Sequence, residues 1–270
     1  MKKLLIIDGN SILNRAYYGI RPLSAPDGTP TNAVYGFLNI MFKYLDEENP
    51  DYLCVAFDVK EKTFRHKRYE LYKAQRKPAP EDFLVQLPLM KEVLQKMNCL
   101  CLEKPGYEAD DIIGTVSAMC ERGGIDCRIL TGDKDDLQLC SDRTVVKLVI
   151  TRMGKTDTTD YGEAEFKEKY GIEPNAFIDV KALMGDASDN IPGVKGIGEK
   201  TAMSLIQNYG SIEKIYENTD ALEVTQSVRN KLSDGRDNAF LSYELATIDR
   251  SVPIEFEFDE AKRHPYNEME

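Results

Sequence analysis

Acidic residues stand in this chain where short apolar runs end. Asp8 closes Leu4-Leu5-Ile6-Ile7, and Asp58 closes Leu53-Cys54-Val55-Ala56-Phe57. Glu108, Asp110 and Asp111 follow the run Cys99–Glu103 and a Pro-Gly turn. Asp133 and Asp135 follow Arg128–Thr131, and Asp186 and Asp189 lie in Gly-Asp-Ala-Ser-Asp-Asn. Each group alone is explained by a turn or by the preference of acids for helix starts. Five such groups at one kind of position are not. Runs of this kind read as buried parallel strands, and such sheets bind ligands beyond the carboxyl ends of their strands. Acids gathered there repel one another unless a cation holds them. The only histidines are His66 and His264, and no C-x-x-C pair occurs. Histidine-rich metal sites, zinc sites and most histidine triads are thereby excluded. Oxygen ligation selects hard ions, Mg²⁺ or Mn²⁺. Mg²⁺ takes few direct carboxylates, so this many acids imply two or more ions. Paired ions serve phosphoryl chemistry without a protein general base.

A dense basic block follows Asp58: Lys60, Lys62, Arg65, Lys67, Arg68, Lys73, Arg76 and Lys77, diluted only by Glu61 and Glu70. If helical, it places Lys62, Arg65, Tyr69, Tyr72, Lys73 and Arg76 on one broad face. The cations there would meet phosphates, and the tyrosines would stack on bases. Its plain alternative is a solvated charged helix. A third pattern, Ile191-Pro-Gly193-Val-Lys195-Gly196-Ile-Gly198-Glu-Lys200-Thr201, nearly matches a P-loop. Glu199 separates Gly198 from Lys200, however, and no strand precedes it, so nucleotide-triphosphate binding is rejected. A helix-hairpin-helix fits better, with a glycine turn presenting N–H groups to a phosphate at a helix start. A helix–helix turn without a ligand is the alternative.

The elements that must position these groups alternate between strand and helix signals to about residue 160. Helices are expected after Thr31 or Asn32, over Glu81–Met97 with a kink at Pro88, and from Glu108 to Gly123-Gly124. Strands are expected at Cys99–Glu103, up to Thr131, and over Thr144–Ile150. This is the pattern of a doubly wound parallel sheet. Short helical patterns then run to about Leu245. The 270 residues are 42% apolar, ample for a core, and carry a net charge of −11 whose distribution leaves the basic block intact. Cys54, Cys99, Cys101, Cys120, Cys127 and Cys140 read as reduced core residues. No apolar run approaches a membrane span, and a cytoplasmic protein is expected.

Together these residues resemble the 5′-nuclease (flap endonuclease) family. The likeness is strongest to its bacterial branch, in which a 5′→3′ exonuclease domain precedes proofreading and polymerase domains. It is carried by Leu5-Ile-Ile-Asp8-Gly-Asn-Ser with Arg15-Ala-Tyr17, Phe57-Asp58, Phe64-Arg65 with Tyr72-Lys73-Ala-Gln-Arg76, Gly106-Tyr-Glu108-Ala-Asp110-Asp111, Thr131-Gly-Asp133-Lys-Asp135, and Gly185-Asp186-Ala-Ser-Asp189-Asn. The resemblance implies an α/β, PIN-like or Rossmann-like parallel-sheet nuclease core over 1–165 with a helical arch at about 60–80. It implies a helical DNA-binding domain over 166–250 with a helix-hairpin-helix at about 190–208, and 251–270 remains as an acidic tail or linker.

The implied activity is Mg²⁺- or Mn²⁺-dependent hydrolysis of phosphodiesters at the 5′ ends of nicked, flapped or primer-containing duplexes, in primer removal, nick translation and repair. Asp8, Asp58, Glu108, Asp110, Asp111 and Asp133 match the family's acids for the tighter metal region, and Asp135, Asp186 and Asp189 those of the second. Lys73 and Arg76 match the residues that steady the scissile phosphate, with Tyr72 stacking beside them. Arg15, Arg65 and Lys67, with Gly193, Lys195, Gly196, Gly198, Lys200 and Thr201 of the hairpin, are the expected DNA contacts, the hairpin with a K⁺ ion. The implied partners are branched or nicked DNA, an RNA primer–DNA hybrid and the polymerase domains of a parent chain. A monomer associated with the bacterial nucleoid is expected, with no polymerase activity of its own. A PIN-type ribonuclease and a non-catalytic branched-DNA-binding module are the rival readings.

Overall fold

The computed structural model describes residues 2–152 and 155–263. Six strands form one sheet: β1 (Lys3–Asp8), β2 (Tyr52–Ala56), β3 (Leu100–Leu102), β4 (Asp126–Thr131), β5 (Thr144–Arg152) and β6 (Lys155–Tyr161), in the order β3-β2-β1-β4-β5-β6. All neighbours are parallel except β5 and β6, which pair antiparallel. The sheet is therefore mostly parallel rather than wholly so. β6 escapes a reading by apolar runs because it is an edge strand, Lys-Thr-Asp-Thr-Thr-Asp-Tyr, and an edge strand needs no continuous apolar stretch.

Helices cover both faces. They are α1 (Gly9–Gly19), α2 (Asn32–Glu48), α3 (Phe64–Arg68), α4 (Glu81–Leu84), α5 (Gln86–Lys96) and α6 (Ala109–Gly123). Side chains alternate along β1, so Leu5 and Ile7 pack under Ile12, Phe37, Met41, Met90 and Leu94 of α1, α2 and α5. Leu4 and Ile6 face the other way, onto Ile112, Ile113 and Val116 of α6. α6 ends at Gly124 in the left-handed conformation, φ 66°, where glycine carries no Cβ penalty. The expected kink at Pro88 is instead a break at Val85. Pro88 thereby falls in the first turn of α5, where its missing N–H costs nothing.

The helical part comprises α7 (Glu163–Tyr170), α8 (Phe177–Met184), α9 (Glu199–Tyr209), α10 (Ile212–Glu217), α11 (Gln226–Asp234) and α12 (Arg236–Ala246). Its apolar residues, among them Phe166, Val180, Leu205 and Ala239, join the same cluster as Leu4 and Ile6. Two departures from expectation concern the chain's shape. The basic block is no long helix: α3 stops at Arg68, and turns follow over 70–75. Residues 251–263 are no free tail. Leu53 N–H donates to Ala261 O at 2.8 Å, Arg263 N–H donates to Asp51 O at 2.9 Å, and the Phe258 ring packs 5.4 Å from Tyr52. Val252, Phe256 and Ala261 are buried. Apolar residues spaced among the acids hold this segment to the sheet. The rest of the expected tail, 264–270, lies outside the described residues.

Candidate active site

The strand ends deliver the acids as parallel topology requires. Asp8 ends β1, Asp58 follows β2, Glu108 and Asp110 open α6, and Asp133 follows β4. These five and Asp189 line one cleft of about 670 Å³, with Asn10, Arg15, Lys73 and Arg76 in its wall. Local bonds fix several of them. Asp8 accepts from Ser11 N–H at 3.0 Å, as the N-cap of α1, and from the Thr131 hydroxyl at 3.0 Å. Asp58 accepts from Ala109 N–H at 2.8 Å. Asp133 accepts from Asp135 N–H at 2.9 Å.

At the floor, Asp8, Asp110 and Asp136 each offer a carboxylate oxygen, and these oxygens lie within 4.8 Å of one another. Asp136 is fully buried, and neither of its oxygens has a hydrogen-bond partner among the described residues. Burial pushes the Asp8 carboxyl up to about 7. Burial, with the surrounding carboxylates adding to it, raises Asp110 and Asp136 well above the ordinary range. Among the described residues, no lysine or arginine pairs with Asp8, Asp58, Asp110, Asp133 or Asp136.

The remaining acids have internal partners. Asp111 is fully buried and accepts both arms of the Arg65 guanidinium, at 2.7 and 2.8 Å. Arg65 in turn donates to the carbonyls of Leu245 and Thr247, at 2.8 and 2.7 Å. Asp111 is thus not placed with the cleft acids, and buried Arg65 is not placed to contact DNA. The pair ties the basic segment to the end of α12.

Lys73 Nζ lies 2.9 Å from Glu108 Oε2 and 3.7 Å from Asp189 Oδ2, and Arg76 pairs with Asp189. The Tyr72 hydroxyl meets Glu108 at 3.0 Å and Asp189 at 3.2 Å. Its ring is buried, so it is not placed for base stacking. Lys73 holds φ at +55°, with its N–H on the Asp189 carbonyl at 2.9 Å. This is a left-handed conformation that a non-glycine residue adopts only under tertiary constraint. Lys181 of α8 bridges Asp135, at 2.6 Å, and Asp186. The shared ammonium holds Asp186 down at about 2, while burial pushes Asp135 up to about 7.

Two expected DNA contacts sit away from the cleft acids. Lys67 borders an apolar groove between α3 and residues 243–250. Gly193 is packed backbone to backbone against Gly185, and its N–H is spent on the buried Ser242 hydroxyl at 2.8 Å. It shapes the hairpin and offers no donor to a ligand. Lys195, Gly196, Gly198 and Lys200 are exposed around the start of α9, with Thr201 half-buried behind them. The Gly196 carbonyl accepts from Lys231 Nζ at 3.2 Å.

Two family models match the chain end to end: the N-terminal resolvase-like domain of 5′-3′ exonucleases over residues 3–171, and their C-terminal SAM fold over 172–269. The chain belongs to the 5′-3′ exonuclease family. It is 47% identical over 98% of its length to a DNA polymerase I of Caldicellulosiruptor bescii, covering 31% of that protein. It is 44% identical over 94% of its length to the DNA polymerase I of Bacillus subtilis, covering 28% of it. The chain thus spans about a third of the length of these relatives. Its fold is shared by the T5 5′-exonuclease, solved with zinc bound. That match has a TM-score of 0.75 at 21% identity, over 92% of this chain and 90% of the other. The catalytic core of Rad2, solved in complex with a DNA substrate, matches with a TM-score of 0.59 at 16% identity, over 93% and 80%.

The cleft of this member of the family fits divalent ions. Its acids offer carboxylate oxygens, the choice of hard cations, and against Asp8 and Asp110 lies the buried Asp136, both of whose oxygens lack a hydrogen-bond partner among the described residues. Asp136 and Lys181 are the residues that sequence reasoning missed. The only signal for Asp136 was its place in Asp133-Lys-Asp-Asp136, directly after a strand end.

Proposed function

We propose that this chain is a divalent-metal-dependent, structure-specific 5′→3′ exonuclease and flap endonuclease, acting on nicked, flapped or primer-containing duplex DNA. The single observation that carries the reading is the cleft in which six carboxylates face Lys73, Arg76 and Arg15. Asp8, Asp58, Asp110 and Asp133 would hold one or two divalent ions, Mg²⁺ or Mn²⁺. Such ions supply a water activated at neutral pH and stabilise charge on the phosphate oxygens.

The chain's own residues do the rest. Glu108 and Asp189 fix Lys73 and Arg76 in the wall, where their donors would orient a scissile phosphate. Lys181, between Asp135 and Asp186, holds two further acids beside Asp133. The exposed hairpin with Lys195 and Lys200 would grip duplex phosphates away from the cleft. The nuclease core over about 1–165 and the helical part over about 166–250 would act together on one substrate, as one unit of a longer polymerase chain in a bacterial cytoplasm. Cleavage of a labelled 5′-flap duplex in Mg²⁺, compared with EDTA, tests the proposal. Release of short 5′ products only in Mg²⁺ is expected. Equal cleavage in EDTA ends the metal reading, and binding without cleavage in both conditions turns the chain into a binding module.

A further inference from the structure

The floor of the cleft holds a carboxylate that the activity just proposed does not use. Asp136 lies in the 3₁₀ turn Asp135–Leu139 that follows β4. It is fully buried, and both of its oxygens lack any hydrogen-bond partner among the described residues. Its charged neighbours are Asp8, Asp133, Asp135 and Asp110, all of them acids. A bare carboxylate in such a place costs far more than a folded domain can spare, so something must neutralise it. A proton would turn one oxygen into a donor, and that donor would need an acceptor. Even then the other oxygen would stay a buried acceptor without a partner among the described residues. A cation satisfies both oxygens at once. The carboxylate oxygens of Asp8, Asp110 and Asp136 lie within 4.8 Å of one another, a spread that one ion with bonds of about 2.0–2.6 Å can span.

We propose that Asp136 is a metal ligand, and that with Asp8 and Asp110 it forms an inner divalent-cation site that fills in the absence of DNA and favours Mn²⁺ over Mg²⁺. The inference rests on the metal-dependent reading above and extends it to an added ligand and an ion preference. The preference follows from dehydration. A buried site built from three carboxylates leaves little room for water. Mg²⁺ gives up its waters reluctantly and is held by one or two carboxylates, whereas Mn²⁺ binds such donors more strongly.

The test is Mn²⁺ titration of the whole DNA-free chain, read by electron paramagnetic resonance and calorimetry, for wild type, Asp136→Asn, Asp136→Leu and Asp110→Asn. Melting temperatures are taken with and without Mn²⁺. Wild type should bind its tightest Mn²⁺ at least tenfold more strongly than Mg²⁺. Asp136→Asn and Asp136→Leu should each weaken that site about tenfold or more. Asp136→Leu should melt higher than wild type in EDTA, since it removes a lone buried charge, yet gain less from added Mn²⁺. Unchanged Mn²⁺ affinity in both Asp136 variants, with loss in Asp110→Asn, overturns the role of Asp136 alone. Unchanged affinity in Asp110→Asn as well overturns the metal reading of the cleft itself.

Discussion

The carboxylates of this molecule fall into two populations that meet in one cleft. Along the wall, Glu108 and Asp189 hold Lys73 and Arg76, and Asp186 shares Lys181 with Asp135; buried behind it, Asp111 holds Arg65. On the floor, Asp8, Asp110 and Asp136 have no such partner among the described residues. The electrostatic consequences are opposite. Lys181 holds Asp186 down at about 2, whereas burial pushes Asp8 up to about 7. An acid with an internal cation is already neutralised, and it serves to place that cation. An acid without one stores unfavourable energy until an external cation arrives. One residue type thus does structural work in the wall and ligand work on the floor.

The sharpest way to break this division is to exchange the fates of two adjacent residues. Asp110→Asn should lower single-turnover flap cleavage by about 10⁴-fold, roughly 5 kcal/mol in the barrier, while melting and flap-DNA affinity stay near wild type. Asp111→Ala should do the reverse to stability. It strands the buried Arg65 guanidinium, a loss of about 3–5 kcal/mol, read as a lower urea midpoint and melting temperature. A fully stable Asp111→Ala protein with no cleavage would move Asp111 to the floor and erase the distinction.

That pair also shows what the sequence could and could not convey. The sheet was legible because β1 and β2 are unbroken apolar runs and β4 and β5 are largely apolar, and parallel topology alone sends acids at their ends to one edge. Which acid of a doublet faces that edge was not legible. Asp110 and Asp111 are consecutive in a helix, about 100° apart around its axis, so one reaches the cleft and the other turns into Arg65. Asp135 and Asp136 are consecutive in a tighter 3₁₀ turn, about 120° apart, and the one passed over reaches the floor. Spacing finds the segment, and packing chooses the residue. The basic block failed for a related reason. Its helical periodicity is real, but the chain turns after Arg68, and Tyr72, Lys73 and Arg76 reach Glu108 and Asp189 instead.

Lys73 sharpens the comparison from the wall side. Lys73→Ala should slow single-turnover cleavage by about 10²-fold, near 3 kcal/mol. It also frees Glu108, so divalent-ion affinity in the absence of DNA should rise. An unchanged rate would leave Lys73 as a structural plug. The two populations also part in their response to pH. The Asp8 pKa is raised by folding to about 7 from an ordinary value near 3.8. The folded state therefore holds its proton where the unfolded state has lost it, and the resulting stability is lost as pH climbs toward and past 7. Asp186 is lowered to about 2, so its contribution is lost only in acid, below about pH 4. The melting temperature in EDTA should fall between pH 5 and pH 8, and saturating Mn²⁺ should flatten or reverse that fall. A flat profile in EDTA would mean that the floor acids are neutralised by something inside the chain.

The smallest effect belongs to cations with no acid to place. Lys195 and Lys200 are exposed at the hairpin, and neither lines the cleft. A lysine that meets a duplex phosphate releases condensed counterion, so each contact adds about 0.9 to the slope of log affinity against log salt. Lys195→Ala and Lys200→Ala should each reduce that slope by about 1 and weaken flap binding a few-fold at moderate salt. Single-turnover cleavage at saturating enzyme should not change, because the reacting phosphate lies elsewhere. A changed rate with an unchanged salt slope would mean that the hairpin acts on the geometry of the cleft, since Gly185 and Gly193 pack against each other directly behind Asp186. The wall acids would then be reporting duplex binding to the floor, and the two populations would be coupled rather than merely adjacent.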